Sequence, residues 1–466
     1  MNIPRFAVVG HPNKGKSSIV ATLAHDDGVI IEQRSGSTKK AQTFPMIVDG
    51  KTLYELIDTP GFQRAHACYD YLINHCNDAS QRAAAVRKFV EDNHKGETFT
   101  NECELLKPII DGAGIIYVVD GSRPYGAEYE AEMEILRWTG QPSLALINPI
   151  EGDEYIAEWE NALEQYFKTV RVFNAHNAEF YKQINLLKIF GELSESWQKP
   201  LQQAVKVLEA QRLSSHKNAA DTLASAIVDI LLHYERQNLA LGLPTSPVET
   251  LLEKKYQNYI RKIESTSRKK IEEIYAYFKI ERTENELTFE STDLLDQESW
   301  YLFGLNKKQL LTLAAGAGAS AGAVIDLGLG GSSLLLGSTI GGITGGLSAW
   351  KLSHRIAKFT FKGLPTGGQT LQYGPAKHPN LPFVLLGRAL NHHRFICKRT
   401  HASQTKMILL EDTTDNPLTS FSLSEKTKLM KLFQMISKQK NLLSCREELA
   451  TIILSSLIKV DLAREE

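Results

Sequence analysis

The first half of the N-terminal region is written in short, uninterrupted apolar runs. Phe6-Ala7-Val8-Val9, Ile115-Ile116-Tyr117-Val118-Val119 and Leu144-Ala145-Leu146-Ile147 carry no alternating polar positions. Runs of that length predict parallel strands buried on both faces. Between residues 43 and 57 two further apolar runs flank Asp49-Gly50, which predicts a β-hairpin. Helix-compatible stretches, Ser18 to Leu23 and Tyr129 to Trp138, separate the strands, and Thr169 to Phe173 reads as one more strand. This order predicts an α/β fold with a mostly parallel sheet.

Past residue 193 the period changes. Leu223, Ile227, Ile230, Leu231 and Tyr234 fall on one helical face, as do Tyr256, Ile260, Ile263, Ile271, Ile274 and Phe278 further on. A Gly-Leu-Pro-Thr-Ser-Pro break at 242–247 separates them, with Thr245 or Ser246 as the cap. Residues 364–379 read as loop, and Phe383 to Leu390 as a buried helix or a strand leading into one. Helices are expected around 423–436 and 447–462. The region after the α/β part is therefore mainly α-helical.

Residues 310–350 differ from both patterns. Gly, Ala, Ser, Leu and Ile dominate, and Asp326 is the single charge. Ala314, Gly318 and Gly322 recur every fourth residue, as do Gly337, Gly341 and Gly345, giving flat faces on which helices pack closely. A glycine-rich helical hairpin with Asp326 at its tip follows. Each arm would be about 25 Å long at about 1.5 Å per residue, just short of a hydrocarbon core of about 30 Å. Lys307 and Lys308 precede the hairpin, and Lys351, His354, Arg355 and Lys358 follow it, an arrangement that would keep both ends cytoplasmic. Membrane insertion is the expectation; packing inside a soluble helical bundle is the alternative. The expected domains are 1–190, 191–290, 291–360 and 361–466.

Composition narrows the partners. The 466 residues hold 53 Lys and Arg against 54 Asp and Glu, so no nucleic-acid partner is indicated. Five cysteines without a CxxC pair read as reduced thiols, and the first strand begins too early to leave room for a signal peptide. A cytoplasmic location, associated with the inner membrane, is expected. His392, His393 and His401 read as core-edge or solvated histidines rather than metal ligands.

The chemistry is concentrated in Gly10-His11-Pro12-Asn13-Lys14-Gly15-Lys16-Ser17, set between a strand and a helix. Two glycines bracketing four residues, followed by Lys and Ser, form a phosphate-binding loop. The backbone N–H groups from Asn13 through Lys14, Gly15, Lys16, Ser17 and Ser18 would face phosphate oxygens at a helix N-terminus. Lys16 would neutralise phosphate charge, and Ser17 would ligate Mg²⁺. At the end of the hairpin, Asp58-Thr59-Pro60-Gly61 offers a carboxylate to Mg²⁺ and a backbone N–H to a γ-phosphate.

Residues 1 to about 190 resemble the translation-factor-related GTPases, closest to the Era and TrmE branch, on the strength of GHPNKGKS, the Gly-Ser-Thr-Lys run at 36–39 and DTPG. The resemblance implies a P-loop GTPase that binds GTP and Mg²⁺. It makes Thr38 the switch threonine that closes on Mg²⁺, with Thr43 as competitor, and Asn13 a ligand of an activating potassium ion. Phe62 stands where many relatives place a water-orienting glutamine, with Gln63 adjacent. The guanine-reading Asn-Lys-x-Asp is replaced by Asn148-Pro149-Ile150-Glu151, so Asn148 and Glu151, or Asp153 if the loop is offset, would read the base. Ala175 would contribute a backbone N–H. Over its whole length the chain resembles a bacterial family joining an Era-like GTPase domain to a C-terminal domain of unknown function. The functional expectation is a GTP-hydrolysing switch at a membrane, partnered by lipid or a membrane protein. The alternatives are a soluble nucleotide-binding scaffold and a dynamin-like membrane remodeller.

Overall fold

The computed structural model describes residues 3–24, 40–48, 50–175, 178, 180–240, 243–275, 304–305, 309, 354–361, 364–376, 378–398 and 416–462. Two compact units divide the chain: residues 1–212 with 398–404, and residues 213–397 with 405–466. The boundary falls within one helix, Glu195–Leu232.

The first unit is built on a six-stranded sheet. Its strands are β1 (Arg5–Val9), β2 (Gln42–Val48), β3 (Lys51–Asp58), β4 (Gly114–Asp120), β5 (Ser143–Asn148) and β6 (Val170–Val172). They lie in the order β2-β3-β1-β4-β5-β6, and every neighbouring pair is parallel except β2 with β3. The hairpin around Asp49-Gly50 supplies that antiparallel edge. The sheet is therefore mostly parallel, as the apolar runs imply.

Period-two alternation divides each run between two cores. Phe6, Val8, Ile116, Val118, Leu144 and Leu146 face α1 (Lys16–Ala24), α7 (Phe180–Glu192) and the start of α8 (Glu195–Leu232). On that side Phe6 stacks on Phe190 at 4.6 Å and meets Trp197 edge-on at 5.1 Å. Ala7, Val9, Ile115, Tyr117, Val119 and Ile147 face the opposite core. There the residues between β3 and β4 form a helical layer of α2 (Ala65–Asn74), α3 (Arg82–Asn93) and α4 (Thr100–Ile110). With α5 (Glu128–Trp138) and α6 (Ile156–Leu163) it covers the sheet.

Parallel register brings the strand ends to one edge. Val8 pairs with Asp58, Val9 with Tyr117 and Asp120 with Asn148, so Gly10, Asp58, Asp120 and Asn148 gather where the P-loop begins.

The second unit is mainly helical, with α9 (Ser246–Ile274), α10 (Leu381–Lys398), α11 (Leu423–Ser437) and α12 (Leu442–Leu462) joining the later turns of α8 in one core. Leu223, Ile227, Ile230, Leu231, Tyr256, Ile260 and Ile271 are buried there, whereas Tyr234 is exposed. Two corrections to the sequence reading concern strands. Glu235–Ala240 forms β7 and Leu364–Tyr373 forms β9, which with β8 (His354–Phe361) make an antiparallel sheet in the order β7-β9-β8. Residues 364–373 are therefore not loop. His354, Arg355 and Lys358, expected as a basic flank, lie on β8. Arg388, buried on α10, places its Nε 2.6 Å from Glu264 Oε1 on α9 and ties the two helices. The glycine-rich stretch at 310–350 lies outside the described residues, as does Phe278. Among the described residues no helix is long and apolar enough to cross a membrane.

Candidate functional site

The P-loop leaves β1 at Gly10 and enters α1 at Lys16. Gly10, Asn13 and Gly15 have φ of +139°, +61° and +82°, so the loop takes positive φ three times. A Cβ on Gly15 would collide with the Asn148 amide nitrogen, which explains the glycine there. Lys16 is buried, and its Nζ donates to His11 O at 2.9 Å. Burial lowers its ammonium to about 8, while the Asp58 and Glu132 carboxylates oppose that shift.

Ser17 Oγ donates to Asp58 Oδ2 at 2.8 Å. A hydroxyl and a buried carboxylate side by side at the P-loop form an all-oxygen donor pair, which fits Mg²⁺. Thr59 Oγ1 donates to Val8 O at 2.7 Å and fixes the chain after Asp58. Gly61 passes so close to the P-loop that a Cβ would sit 2.5 Å from Pro12 N. Phe62 is buried in the core, so its ring does not face solvent, and Gln63 is exposed. Thr38 lies outside the described residues. Thr43 is exposed on β2, opposite Ile57.

The P-loop and the loops after β5 and β6 converge on one side chain. Asn148, fully buried, donates through Nδ2 to Lys14 O at 3.4 Å and accepts the Ala175 N–H at Oδ1 over 3.2 Å. That N–H, expected to serve the base, is thus engaged by Asn148. Asn174 Nδ2 donates to Pro149 O, and Thr22 Oγ1 to Ala175 O, tying the same loops to each other and to α1. Glu151 and Asp153 are both exposed.

Several residues with site contacts were not singled out in the sequence. Asp120, at the end of β4, lies 3.8 Å from Lys14 Nζ and 3.4 Å from Arg123 Nε, and accepts the Ser122 N–H. Burial lowers the Lys14 ammonium, and Asp120 opposes that shift. His11 meets Glu132 at 2.9 Å, and Glu132 also accepts from Tyr117 OH. An acid closing a strand beside the P-loop was the available signal for Asp120; nothing local marked Glu132. Equally unmarked were two acids on α4. Glu102 accepts the Gln63 and Arg64 N–H groups, and Glu104 accepts the Ala41 N–H at 3.2 Å.

Residues 5–148 match the family described as a 50S ribosome-binding GTPase, and residues 160–451 match a domain of unknown function (DUF3482). Over 87 residues the chain is 39% identical to the GTPase Der of Agathobacter rectalis, a stretch covering 18% of this chain and 20% of that protein. Over 60 residues it is 43% identical to the GTPase Der of Mycoplasma pneumoniae, covering 13% of each. The chain thus spans a fifth or less of the length of these curated relatives. Among solved structures, an Aquifex aeolicus Era bound to GDP·AlF4⁻ aligns at 14% identity and a TM-score of 0.25, covering 59% of this chain and 90% of that one. A bacterial selenocysteine-specific elongation factor aligns at 20% identity and a TM-score of 0.24, covering 42% of this chain and 29% of that one. The strand order and the P-loop geometry define the fold. The chain belongs to the DUF3482 family and bears at its N-terminus a P-loop GTPase domain similar to that of Der.

Proposed function

We propose that the chain is a Mg²⁺-dependent switch that binds GTP, hydrolyses it slowly and works at the cytoplasmic face of a membrane. The observation that carries the nucleotide part is the Ser17–Asp58 contact beside buried Lys16, which assembles a metal-binding oxygen pair and a phosphate cation at one helix N-terminus. In this reading the P-loop N–H groups from Asn13 to Ser18 hold the phosphates, and Lys16 stabilises charge on the transferring group. Ser17, Asp58 and Thr38 hold Mg²⁺, which when bound neutralises charge on the β- and γ-phosphates. The Gly61 N–H meets the γ-phosphate. Asn13 serves a potassium ion, and Asn148, Glu151 and the Ala175 loop surround the guanine. With Phe62 turned into the core, the attacking water is oriented by backbone, cation or partner.

GTP turnover tests this directly. Rates on the order of 10⁻⁴ to 10⁻² s⁻¹ are expected, abolished in Lys16→Ala and faster in potassium than in sodium, with Asn13→Ala removing the difference. A wild-type rate in Lys16→Ala removes the catalytic assignment. Glu151→Ala should weaken GTP more than ATP; a larger effect in Asp153→Ala makes that the base-reading acid.

Membrane association rests on the composition of residues 310–350 and their lysine flanks. Flotation of the full chain with anionic liposomes at low and high salt, against a deletion of 310–350, tests it. Salt-resistant flotation lost on deletion supports insertion. Protein that stays at the bottom, or floats equally without the segment, returns the reading to a soluble switch.

A further inference from the structure

In the second unit, three helices separated widely in sequence bring two imidazoles, a thiol and a phenol together. His216 comes from α8, Tyr275 directly follows α9, and His393 and Cys397 stand one turn apart on α10. Tyr275 OH lies 2.5 Å from His216 Nδ1 and 2.7 Å from His393 Nε2. Cys397 Sγ lies 3.4 Å from the same His393 Nε2. The candidate ligand atoms of His216, His393 and Cys397 all fall within 4.8 Å of one another. His216, Tyr275 and His393 are buried, and Cys397 is partly so.

A purely structural account explains part of this. Two buried imidazoles bridged by a hydroxyl satisfy one another as a hydrogen-bond relay between helices. Cys397, one turn from His393, lies within hydrogen-bond distance of its ring, so His393 Nε2 meets sulfur and phenol together. Ligand geometry accounts for that convergence. A tetrahedral zinc ion with Zn–N of about 2.0–2.1 Å and Zn–S of about 2.3 Å sets neighbouring N and S atoms about 3.6 Å apart. Cys397 Sγ lies 3.4 Å from His393 Nε2, within about 0.2 Å of this, and 3.6 Å from Nδ1 of the same ring. The phenol–imidazole edges need to open by somewhat less than 1 Å, a side-chain adjustment with no change of helix register. One thiolate and two neutral imidazoles form a donor set of intermediate softness that suits zinc and disfavours Mg²⁺ or Ca²⁺.

We propose that His216, His393 and Cys397, with the Tyr275 hydroxyl in the fourth position, form a binding site for a tetrahedral divalent cation of the zinc class. On binding, Cys397 releases its thiol proton to solvent as the metal–sulfur bond forms, leaving a net charge of +1 on the site. The ion would cross-link α8, α10 and the end of α9. The site is separate from the nucleotide chemistry, so its fate does not decide that reading.

The test uses full-length protein, stripped with a chelator and titrated with Zn²⁺ or Co²⁺. One equivalent should bind per chain, Co²⁺ giving the thiolate-to-metal charge-transfer band and the intense visible absorption of a tetrahedral site. Cys397→Ser should remove the charge-transfer band and weaken Zn²⁺ binding by about 100-fold or more. His216→Gln should weaken it similarly, while Tyr275→Phe should retain the band. Circular dichroism and GTP binding report whether each variant is folded. A wild-type protein without the charge-transfer band overturns the proposal whatever the variants do. So does Zn²⁺ affinity unchanged in folded Cys397→Ser.

Discussion

Glu102 holds the chain that follows DTPG through its backbone: one carboxylate oxygen accepts the N–H of Gln63 at 2.8 Å and of Arg64 at 2.7 Å. Glu102 is buried in the first turn of α4, so the contact joins that helical layer to the segment that follows Gly61. Glu102→Ala leaves two N–H groups without their acceptor. A stability loss of about 1–3 kcal/mol is expected, with faster amide exchange at residues 62–66. Glu102→Gln keeps an acceptor oxygen and should fall between. Unchanged exchange in the alanine variant would show that the carboxylate does not hold this segment.

Lys16 makes nucleotide affinity pH-dependent. Its free-protein value, lowered to about 8 by burial, means the ammonium is largely intact at pH 7 and mostly neutral above pH 9. Phosphate oxygens favour the charged form, so bound nucleotide raises that pKa. Affinity should accordingly fall as pH rises through 8, approaching about tenfold per pH unit. Lys16→Met should bind more weakly throughout and show no such slope. Titration with a fluorescent GTP analogue between pH 6.5 and 9.5 reads both; a flat wild-type profile rejects the assignment.

Gly61 and Pro12 cannot both stay where they are if a methyl group is added. A Cβ on Gly61 would lie 2.5 Å from Pro12 N and 2.6 Å from Pro12 Cδ. Gly61→Ala must push the P-loop and the DTPG turn apart, and displacement by about 1 Å costs about 100-fold in turnover. The expected signature is a large fall in kcat with the fold retained. Turnover within twofold of wild type would mean the two loops part without consequence.

α11 begins with a capping box. Ser422 Oγ accepts the Glu425 N–H at 3.2 Å, and Glu425 Oε2 accepts the Ser422 N–H at 2.8 Å. Ser422→Ala should cost about 1 kcal/mol. Hydrogen bonds from Ser422, with Lys459 helping, hold the Glu425 carboxyl down at about 2. Because the folded value is depressed, the cap contributes fully above about pH 4.5 and is lost as pH falls toward 2. The stability difference between wild type and Glu425→Gln should therefore shrink as pH falls toward 2, where the carboxyl is protonated in both. A difference that persists at pH 2 would point to a cause other than the carboxylate.

Local pattern made the first unit legible and much of the second. The apolar runs of β1, β4 and β5, the Asp-Gly hairpin and the P-loop each carry their cause within about eight residues. What stayed hidden depends on distant partners. Glu235–Ala240 is polar at most positions and becomes a strand only because β9 lies beside it, more than 120 residues away. Leu364–Tyr373 contains Pro365, Gly367 and Gly368, residues that signal a turn until two flanking strands pair with it. His393 reads from sequence, with His392 and His401, as a core-edge or solvated histidine; it is fully buried, against Tyr275, 118 residues earlier, and Cys397, one helical turn on. His392 turns instead toward Glu272. His401 lies outside the described residues. Glu102 carried no motif at all, since an acid in a helix's first turn is ordinary until its backbone partners are known.

Asn148 separates two tasks that share one loop. Its amide joins the Lys14 carbonyl to the Ala175 N–H, so it works as masonry between the phosphate and base ends of the cleft. Pro149 adds its carbonyl to the joint by accepting from Asn174, whereas Glu151, three positions on from Asn148, is exposed. An exposed side chain such as Glu151 can therefore be exchanged while the buried joint behind it stands, so this loop can change its outer face without first being dismantled.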